Sequence, residues 1–226
     1  MWQPQINAFQ NDFFVICYDT RGHGQSSAPQ GPYTLAQLGQ DVVHLLDHLN
    51  VKTAAFCGIS MGGLTGQWLA IHAADRFNAI VVCNTAAKIG QAQAWLDRAA
   101  LVREQGLAPI ASTAAGRWFT ENFVQAHPEV VAELSANLGS GSAEGYASCC
   151  EALAEADVRE ELKAIKVPVL IIVGAQDPVT TIADGEFMQQ RIANSQLVSI
   201  NASHISNIEQ PAAFNQAVAQ FIKRAS

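Results

Sequence analysis

The sequence predicts an α/β fold, a mostly parallel sheet with flanking helices and a helical cap. Strand-like apolar runs alternate with helix-like segments over most of the 226 residues, and this alternation is typical of parallel strands joined by helices. One run, 167–174, is apolar throughout, as expected for a strand that is buried on both faces. Between residues 91 and 164 the alternation stops, and helix-like pieces follow one another without a convincing strand.

Taken in order, the elements begin with a strand-like run, Phe13–Tyr18, which ends in a turn-rich segment. A helix is predicted from about Thr34 to Leu49, because Thr34 is a suitable N-cap and apolar residues recur behind it at helical spacing. Pro211 begins a last helix that extends to about Lys223. Further strands are predicted at 53–57, 79–83, 167–174 and 197–200.

The segments divide into a core and an insertion. Residues 1–90 and 165–226 are predicted to form the core, and residues 91–164, hereafter the cap segment, a helical cap insertion. Glycine and proline interrupt the cap segment, and its helical faces are not strongly apolar. Such faces suit a cap that lies over a site better than a second independent core.

Composition argues against several classes of partner. The formal net charge is −7 and no run of lysine and arginine occurs, so we expect no binding to nucleic acid or to an anionic membrane surface. No apolar stretch approaches the length of a membrane span, and the amino terminus lacks the pattern of a secretion signal. The five cysteines are read as reduced thiols, several of them in apolar runs. We therefore predict a cytoplasmic protein.

The sequence Gly58-Ile59-Ser60-Met61-Gly62 lies between a strand-like and a helix-like segment. In this context the Gly-x-Ser-x-Gly pattern holds the serine in a strained conformation at a helix N-terminus, where its oxygen is exposed. The two glycines are expected to let strand and helix approach closely. Alone the pattern is weak, and a serine in a tight turn or at a helix N-cap is the ordinary explanation.

Two later residues supply partners for Ser60. Asp177 follows the predicted strand that ends at Gly174, and His204 follows the last predicted strand. Because the carboxyl ends of parallel strands lie at one edge of a sheet, all three side chains are expected there. In such a triad His204 takes the proton of Ser60, while Asp177 holds the imidazole in the required tautomer and stabilises its charged form.

No metal or cofactor site is predicted. His44 and His48 lie four residues apart on the predicted helix, but no third ligand has a matching spacing, so an exposed polar face explains them better. Gly22-His23-Gly24 lacks the spacing of a dinucleotide-binding fingerprint.

Six segments of the chain carry a resemblance to one family: Asp19-Thr20-Arg21-Gly22-His23-Gly24, Gly58-Ile59-Ser60-Met61-Gly62-Gly63, Cys83-Asn84-Thr85-Ala86, Arg117-Trp118-Phe119-Thr120, Gly174-Ala175-Gln176-Asp177-Pro178 and Ala202-Ser203-His204-Ile205-Ser206-Asn207. On these segments the chain resembles the 3-oxoadipate enol-lactonases, a family within the α/β-hydrolase superfamily. The segments around Arg117 and His204 are more particular to the lactonases than the others.

The resemblance implies the α/β-hydrolase fold and the cofactor-free hydrolysis of a small anionic enol-lactone during the degradation of aromatic compounds. Ser60 is then expected to attack the ring carbonyl and form an acyl-enzyme, which water activated by His204 hydrolyses. The backbone N–H of Met61 is expected to donate one hydrogen bond to the oxyanion. The resembled substrate carries a carboxylate, for which Arg117 is the first candidate partner and Trp118 an apolar wall.

The resemblance also implies a departure from the family pattern. In this superfamily a second oxyanion donor comes from a loop after a strand that lies between those containing Tyr18 and Cys57. That strand, two others and the loop are expected upstream of Met1, so the N-terminal strands are expected to be missing here. One alternative hypothesis is an inactive or binding form that lacks the second donor. Another is a different hydrolase with the same triad, such as a carboxylesterase, a perhydrolase or a carbon–carbon bond hydrolase.

Overall fold

A computed structural model describes residues 1–225, with the side chains of residues 1–224. Within this part of the chain, four parallel strands form one sheet in the order β1-β2-β3-β4. No helix in the described residues is both long and apolar enough to cross a bilayer. The strands are β1 (Ala54–Ile59), β2 (Phe77–Cys83), β3 (Val169–Gly174) and β4 (Ser195–Ile200). The helices are α1 (Gln3–Phe9), α2 (Leu35–His48), α3 (Met61–His72), α4 (Ala92–Gln105), α5 (Ala108–Ser112), α6 (Ala115–Trp118), α7 (Glu121–Ala126), α8 (Pro128–Gly139), α9 (Ala143–Glu155), α10 (Ile182–Gln189), α11 (Ser206–Glu209) and α12 (Pro211–Ala225).

Helix α2 begins where the sequence predicts it, with Thr34 as its N-cap. The Thr34 hydroxyl oxygen accepts a hydrogen bond from the Gln37 N–H at 3.1 Å, and the Gln37 side-chain oxygen accepts one from the Thr34 N–H at 3.0 Å. This reciprocal pair satisfies N–H groups that have no partner inside the helix. The four strands predicted after this helix are also confirmed, with ends that differ by a few residues.

Strand β3 is buried on both faces, as its apolar run predicts. Ile171 packs in one apolar cluster with Leu69 of α3, and its neighbour Ile172 packs in another with Phe214 of α12. All of these residues are 0% exposed, and burial of a side chain of this size stabilises a fold by about 1.5–3 kcal/mol. The packing on two faces fixes β3, and with it the position of the turn that follows β3.

The run Phe13–Tyr18 is not a strand, so that prediction is wrong. Residues 14–20 have no regular structure, and Phe14 is 80% exposed. A strand is stable only when a neighbouring strand pairs with its backbone groups, and among the described residues β1 pairs with β2 alone. A groove of about 500 Å³ is lined by both the run and β1. The run therefore has the apolar composition of a strand, but no described strand pairs with it.

The connection between β2 and β3 is the cap segment, which contains α4 to α9. Helices α4 and α9 pack together around an apolar cluster of their own, which includes Val102 and Ala147. Alongside this cluster, Arg103 of α4 forms ion pairs with Glu144 and Glu151 of α9 at 2.9 and 2.5 Å. The cap segment is therefore held together by its own contacts as well as by those it makes with the sheet.

Candidate active site

Ser60 lies in the sharp turn between β1 and α3. Its backbone has φ 54° and ψ −118°, a left-handed conformation that costs a non-glycine residue on the order of 1–3 kcal/mol. Two contacts hold it there: the Ser60 N–H donates to the Cys83 carbonyl at 2.9 Å, and the Thr85 hydroxyl donates to the Ser60 carbonyl at 2.7 Å. The strained turn places Ser60 on the wall of a pocket.

Close packing at this turn requires one of the two glycines of the motif. A Cβ atom on Gly58 would lie 2.3 Å from the carbonyl oxygen of Gly62, closer than real Cβ atoms approach any neighbour. A Cβ atom on Gly62 would meet no atom within 4 Å. The expectation of close approach is therefore confirmed for Gly58 and wrong for Gly62, which contributes the backbone against which Gly58 packs.

Asp177 and His204 form a buried pair at the carboxyl edge of the sheet. Asp177 lies in the turn after β3 and His204 in the loop after β4, with His204 Nδ1 2.8 Å from Asp177 Oδ2. The two side chains are 0% and 8% exposed, respectively. Because an ionised carboxylate only accepts, Nδ1 carries the proton and Nε2 is left without one in the neutral imidazole. Within residues 1–225, Nε2 makes no hydrogen bond and can accept a proton from the pocket side.

The Asp177 carboxylate is held in its ionised form by several donors. Oδ1 accepts from the N–H groups of Val179 and Thr180 at 2.8 and 3.2 Å, and Oδ2 accepts from the Thr180 hydroxyl at 2.8 Å and from Asn84 Nδ2 at 3.1 Å. Burial by itself raises the pKa of Asp177. The hydrogen bond and charge of His204 and the bonds from Asn84 and the Val179 N–H outweigh burial, so the pKa lies below its usual value.

One pocket of about 370 Å³ joins Ser60, Met61, His204, Arg117 and Trp118. Asp177 does not line this pocket, because it lies behind His204. The structure therefore brings the residues singled out from the sequence to one place, with the cap segment on one side and the sheet edge on the other. The cap segment supplies most of the remaining lining, namely Gln91, Ala94, Trp95, Arg98, Leu138, Tyr146, Cys149, Cys150 and Leu153.

The N–H of Met61 is available as an oxyanion donor. It belongs to the first residue of α3 and makes no hydrogen bond within residues 1–225. A helix N-terminus favours negative charge, because its first N–H groups have no partner inside the helix. The group can therefore donate to an oxygen that becomes negative next to Ser60.

Arg117 lies in the pocket, but its guanidinium is already engaged. Nη1 donates to the Thr113 hydroxyl at 2.7 Å, and Nη2 donates to the Ile110 carbonyl at 3.2 Å. Burial, and after it the positive charge of Arg98, lowers the pKa of Arg117. This arginine helps to hold the turns of the cap segment together, and it presents fewer free donors to a ligand than the sequence alone suggests.

Arg98 is a pocket residue that the sequence analysis missed. Its guanidinium carbon lies 4.8 Å from the centre of the Trp95 ring, in cation–π geometry, and it lies beside Tyr146. Among the described carboxylate side chains, none forms an ion pair with Arg98 or Arg117. The sequence does contain a sign that Arg98 is free to bind a ligand. No acidic residue stands three or four positions from Arg98, so none can pair with it on the surface of α4.

Glu209 connects the cap segment to the loop that carries His204. Its carboxylate accepts from the Ser203 N–H at 2.9 Å and also from the Thr120 hydroxyl, which belongs to the cap segment. A second link runs from the Ile205 N–H to the Trp118 carbonyl at 2.9 Å. The residues on both sides of His204 are thus bonded to the part of the cap segment that lines the pocket.

No metal centre is found in the described residues. Within them, no group of three or more histidine, cysteine, aspartate or glutamate side chains is arranged to hold a metal ion. His23 lines the same pocket as Ser60, and its Nδ1 lies 3.2 Å from the Arg21 carbonyl oxygen.

Comparison with known proteins agrees with this geometry. The sequence profile described as the alpha/beta hydrolase fold matches residues 1–211. The chain is 66% identical to 3-oxoadipate enol-lactonase 2 and 50% identical to 3-oxoadipate enol-lactonase 1, both of Acinetobacter baylyi, and each match covers 99% of this chain and 84% of the relative. The crystal structure of the enol-lactonase from Burkholderia xenovorans LB400 superposes with a TM-score of 0.96 at 46% identity, over 98% of this chain and 85% of that one. A serine elbow, a buried aspartate–histidine pair and this degree of similarity together place the chain in the α/β-hydrolase family and, within it, in the family of the 3-oxoadipate enol-lactonases.

Proposed function

We propose that the protein hydrolyses 3-oxoadipate enol-lactone to 3-oxoadipate in the degradation of aromatic compounds. The observation that carries this proposal is one pocket that combines Ser60 and His204 with two arginines, Arg98 and Arg117, that have no described acidic partner. A serine nucleophile with a buried aspartate–histidine pair suits an ester substrate. Two unpaired cations in an otherwise acidic protein suit an anionic one. The relatives named 3-oxoadipate enol-lactonase support the same substrate.

In the first half of the reaction Ser60 Oγ attacks the lactone carbonyl carbon, and His204 Nε2 takes the serine proton. Asp177 keeps the imidazole in place and stabilises its positive charge. The Met61 N–H donates to the oxyanion of the tetrahedral intermediate. When the intermediate collapses, the ring C–O bond breaks, the enolate oxygen receives the proton from His204, and the released enol relaxes to the ketone.

In the second half His204 takes a proton from a water molecule, and the resulting hydroxide attacks the ester that joins the acyl group to Ser60. Collapse of this second intermediate returns the proton to Ser60 Oγ and releases a carboxylic acid, which ionises. The product carries two carboxylates, one present in the lactone and one formed by hydrolysis. No cofactor takes part in either half.

Arg98 is the better placed partner for the carboxylate that the substrate carries. Two of the Arg117 nitrogens bond to Thr113 and Ile110, whereas the contacts of Arg98 in the described residues are with Trp95 and Tyr146. A guanidinium whose position is set by stacking on an aromatic ring retains donors for a carboxylate. Arg117 adds positive charge to the same pocket, and Trp118 adds an apolar wall.

We propose further that the cap segment, residues 91–164, acts as the lid of this site and that the core is formed by residues 1–90 and 165–226. The pocket lining contributed by α4 and α9 supports this division. A cytoplasmic location is proposed from the five free cysteines, and the net charge of −7 supports a protein that binds no nucleic acid.

The test is a hydrolysis assay on the acidic enol-lactone beside a neutral aryl ester. The wild-type protein is expected to prefer the lactone, and Ser60→Ala is expected to lose activity by a factor that approaches about 10⁶, because the triad acts as a unit. Retained lactone hydrolysis in Ser60→Ala contradicts the assignment of the nucleophile. A preference for the neutral ester favours a general carboxylesterase instead.

A further inference from the structure

Cys83, the last residue of β2, and the next two residues, Asn84 and Thr85, contact the loops of all three triad residues. The Cys83 carbonyl and the Thr85 hydroxyl bond to the Ser60 peptide, at 2.9 and 2.7 Å. Between them, Asn84 Nδ2 donates to Asp177 Oδ2 and to the Ser203 carbonyl, each at 3.1 Å. Ser203 directly precedes His204. The Asn84 side chain therefore bonds to Asp177 itself and to the residue next to His204.

The orientation of the Asn84 amide follows from its partners. The Asp177 carboxylate and the Ser203 carbonyl can only accept, so the atom that faces both must be the NH₂ group. The Asn84 Oδ1 on the other side accepts from the Ser206 hydroxyl at 2.6 Å. Asn84 is 0% exposed, and each polar atom of its side chain has a partner. This amide is therefore fixed in one orientation inside the fold.

The backbone of Asn84 is also constrained. Its φ is 43°, in the left-handed region where asparagine is the best tolerated residue after glycine. Its N–H donates to the Ile172 carbonyl of β3 at 2.8 Å. A Cβ atom on Gly174 would lie 2.8 Å from Asn84 Nδ2, which shows how closely the amide fits between the two loops. Strain of this kind persists where the surrounding structure determines it, and it is common at functional sites.

We infer that Asn84 is a positioning residue for the catalytic base, and this inference rests on the triad of the proposed function. By holding the Asp177 carboxylate and the Ser203 peptide at a fixed separation, the amide fixes the position of the His204 ring in the pocket that Ser60 also lines. Thr180 also donates to Asp177, but it belongs to the same turn and moves with it. In the described residues, the side chain that bonds to both Asp177 and the Ser203 peptide is that of Asn84.

The main test variant is Asn84→Gly, which keeps the left-handed backbone available and removes the side chain that carries the amide. We expect kcat to fall roughly ten- to hundredfold, since small displacements of a catalytic group cost rate on this scale, while KM stays within about twofold. Asn84→Asp has the same shape but turns an acceptor towards Asp177 and the Ser203 carbonyl. It is expected to lose more activity than Asn84→Gly.

A spectroscopic readout separates positioning from a merely structural role. The proton shared by His204 Nδ1 and Asp177 gives a low-field ¹H NMR resonance when the pair is held at short distance. We expect this resonance to broaden or move upfield in Asn84→Gly. The control is Gln67→Leu, which removes another buried amide, one that bonds to the Ala86 carbonyl at 3.2 Å and, in the described residues, to no triad residue. That variant is expected to leave the resonance and kcat unchanged.

The outcomes distinguish this inference from the choice of substrate. The rate at which an organophosphonate labels Ser60 depends on the base and not on a particular ester. If the wild type labels rapidly but does not hydrolyse the lactone, the proposed substrate fails, and slower labelling of Asn84→Gly still supports positioning. An unchanged labelling rate and an unchanged resonance in folded Asn84→Gly overturn the inference. If Asn84→Gly does not fold, Ser206→Ala is tested in its place. This variant removes the hydroxyl that bonds to the Asn84 amide, so kcat is expected to fall by a smaller factor, about three- to tenfold. An unchanged resonance in Ser206→Ala overturns the inference.

Discussion

Glu209 accepts a hydrogen bond from the backbone N–H of Ser203 at 2.9 Å, one residue before His204. The same carboxylate accepts the hydroxyl of Thr120 in the cap segment. The position of the loop that carries His204 is therefore linked to the position of the cap segment through one side chain that is 8% exposed.

Replacing Glu209 by alanine is expected to impair both stability and activity. The Ser203 N–H would be left buried without an acceptor, at a cost of about 1–3 kcal/mol in the free energy of unfolding. Glu209→Gln is the matched control. Its amide oxygen can still accept from Ser203, and its NH₂ can donate to the Thr120 hydroxyl, which accepts as readily as it donates. Chemical denaturation and kcat measured for both variants check this. Equal losses in the two variants would show that charge, not the hydrogen bonds, is what Glu209 supplies.

The second prediction concerns the two arginines of the pocket. Arg98→Gln is expected to raise KM for the acidic lactone at least tenfold while leaving a neutral aryl ester nearly unaffected, because a charge-assisted hydrogen bond to a carboxylate contributes about 1.5–3 kcal/mol. Arg117→Gln is expected to have a smaller effect on the lactone, since Nη1 and Nη2 of Arg117 already bond within the cap segment. Steady-state kinetics on both substrates decide the matter. A larger effect at Arg117 would restore it as the first partner of the substrate carboxylate.

The sequence alone predicts the parts of the site that depend on local pattern. Ser60 is recognised from its elbow, and Asp177 and His204 from their places after strands, because parallel strands end at one edge of a sheet. Asn84 lies in a segment that carries the family resemblance, but no local pattern assigns it a role, because its partners lie 93, 119 and 122 residues further along the chain. Its role becomes visible only when the folded loops are compared.

The differences between what the sequence predicts and what the structure shows have physical reasons of the same kind. Phe13–Tyr18 has the composition of a strand, but pairing decides whether a strand forms, and pairing is a property of the whole sheet. Arg117 is correctly placed in the pocket, yet its bonds to Thr113 and Ile110 depend on how the short helices of the cap segment turn. The pattern of residues along the chain does not record those turns.

The third prediction compares the two glycines of the serine elbow. Gly58→Ala is expected to prevent folding or to destabilise the protein by several kcal/mol, because the new methyl group would lie 2.3 Å from the Gly62 carbonyl oxygen and neither backbone can move freely. Gly62→Ala places its methyl group in open space within α3. It is expected to fold normally and to gain about 0.5–1 kcal/mol from higher helix propensity. Thermal unfolding of the two variants provides the comparison, and equal destabilisation would contradict the packing described at this turn.

The last prediction concerns stability in acid. Hydrogen bonds from Arg103, and after them from the Gly31 N–H and Ser148, lower the pKa of Glu144 to about 2. Because the native pKa lies below that of the unfolded chain, Glu144 stabilises the fold fully above about pH 4.5, and this contribution is lost as the pH falls towards 2. The Glu144 side chain is 34% exposed, so solvent screens the pair and the effect is modest. Other carboxylates titrate in the same range, so the measured quantity is the difference in unfolding free energy between wild type and Glu144→Gln. That difference is expected to be largest near neutral pH and to shrink steadily below about pH 4.5. A difference that stays constant down to pH 2.5 would mean that the ion pair with Arg103 does not stabilise the contact between α4 and α9.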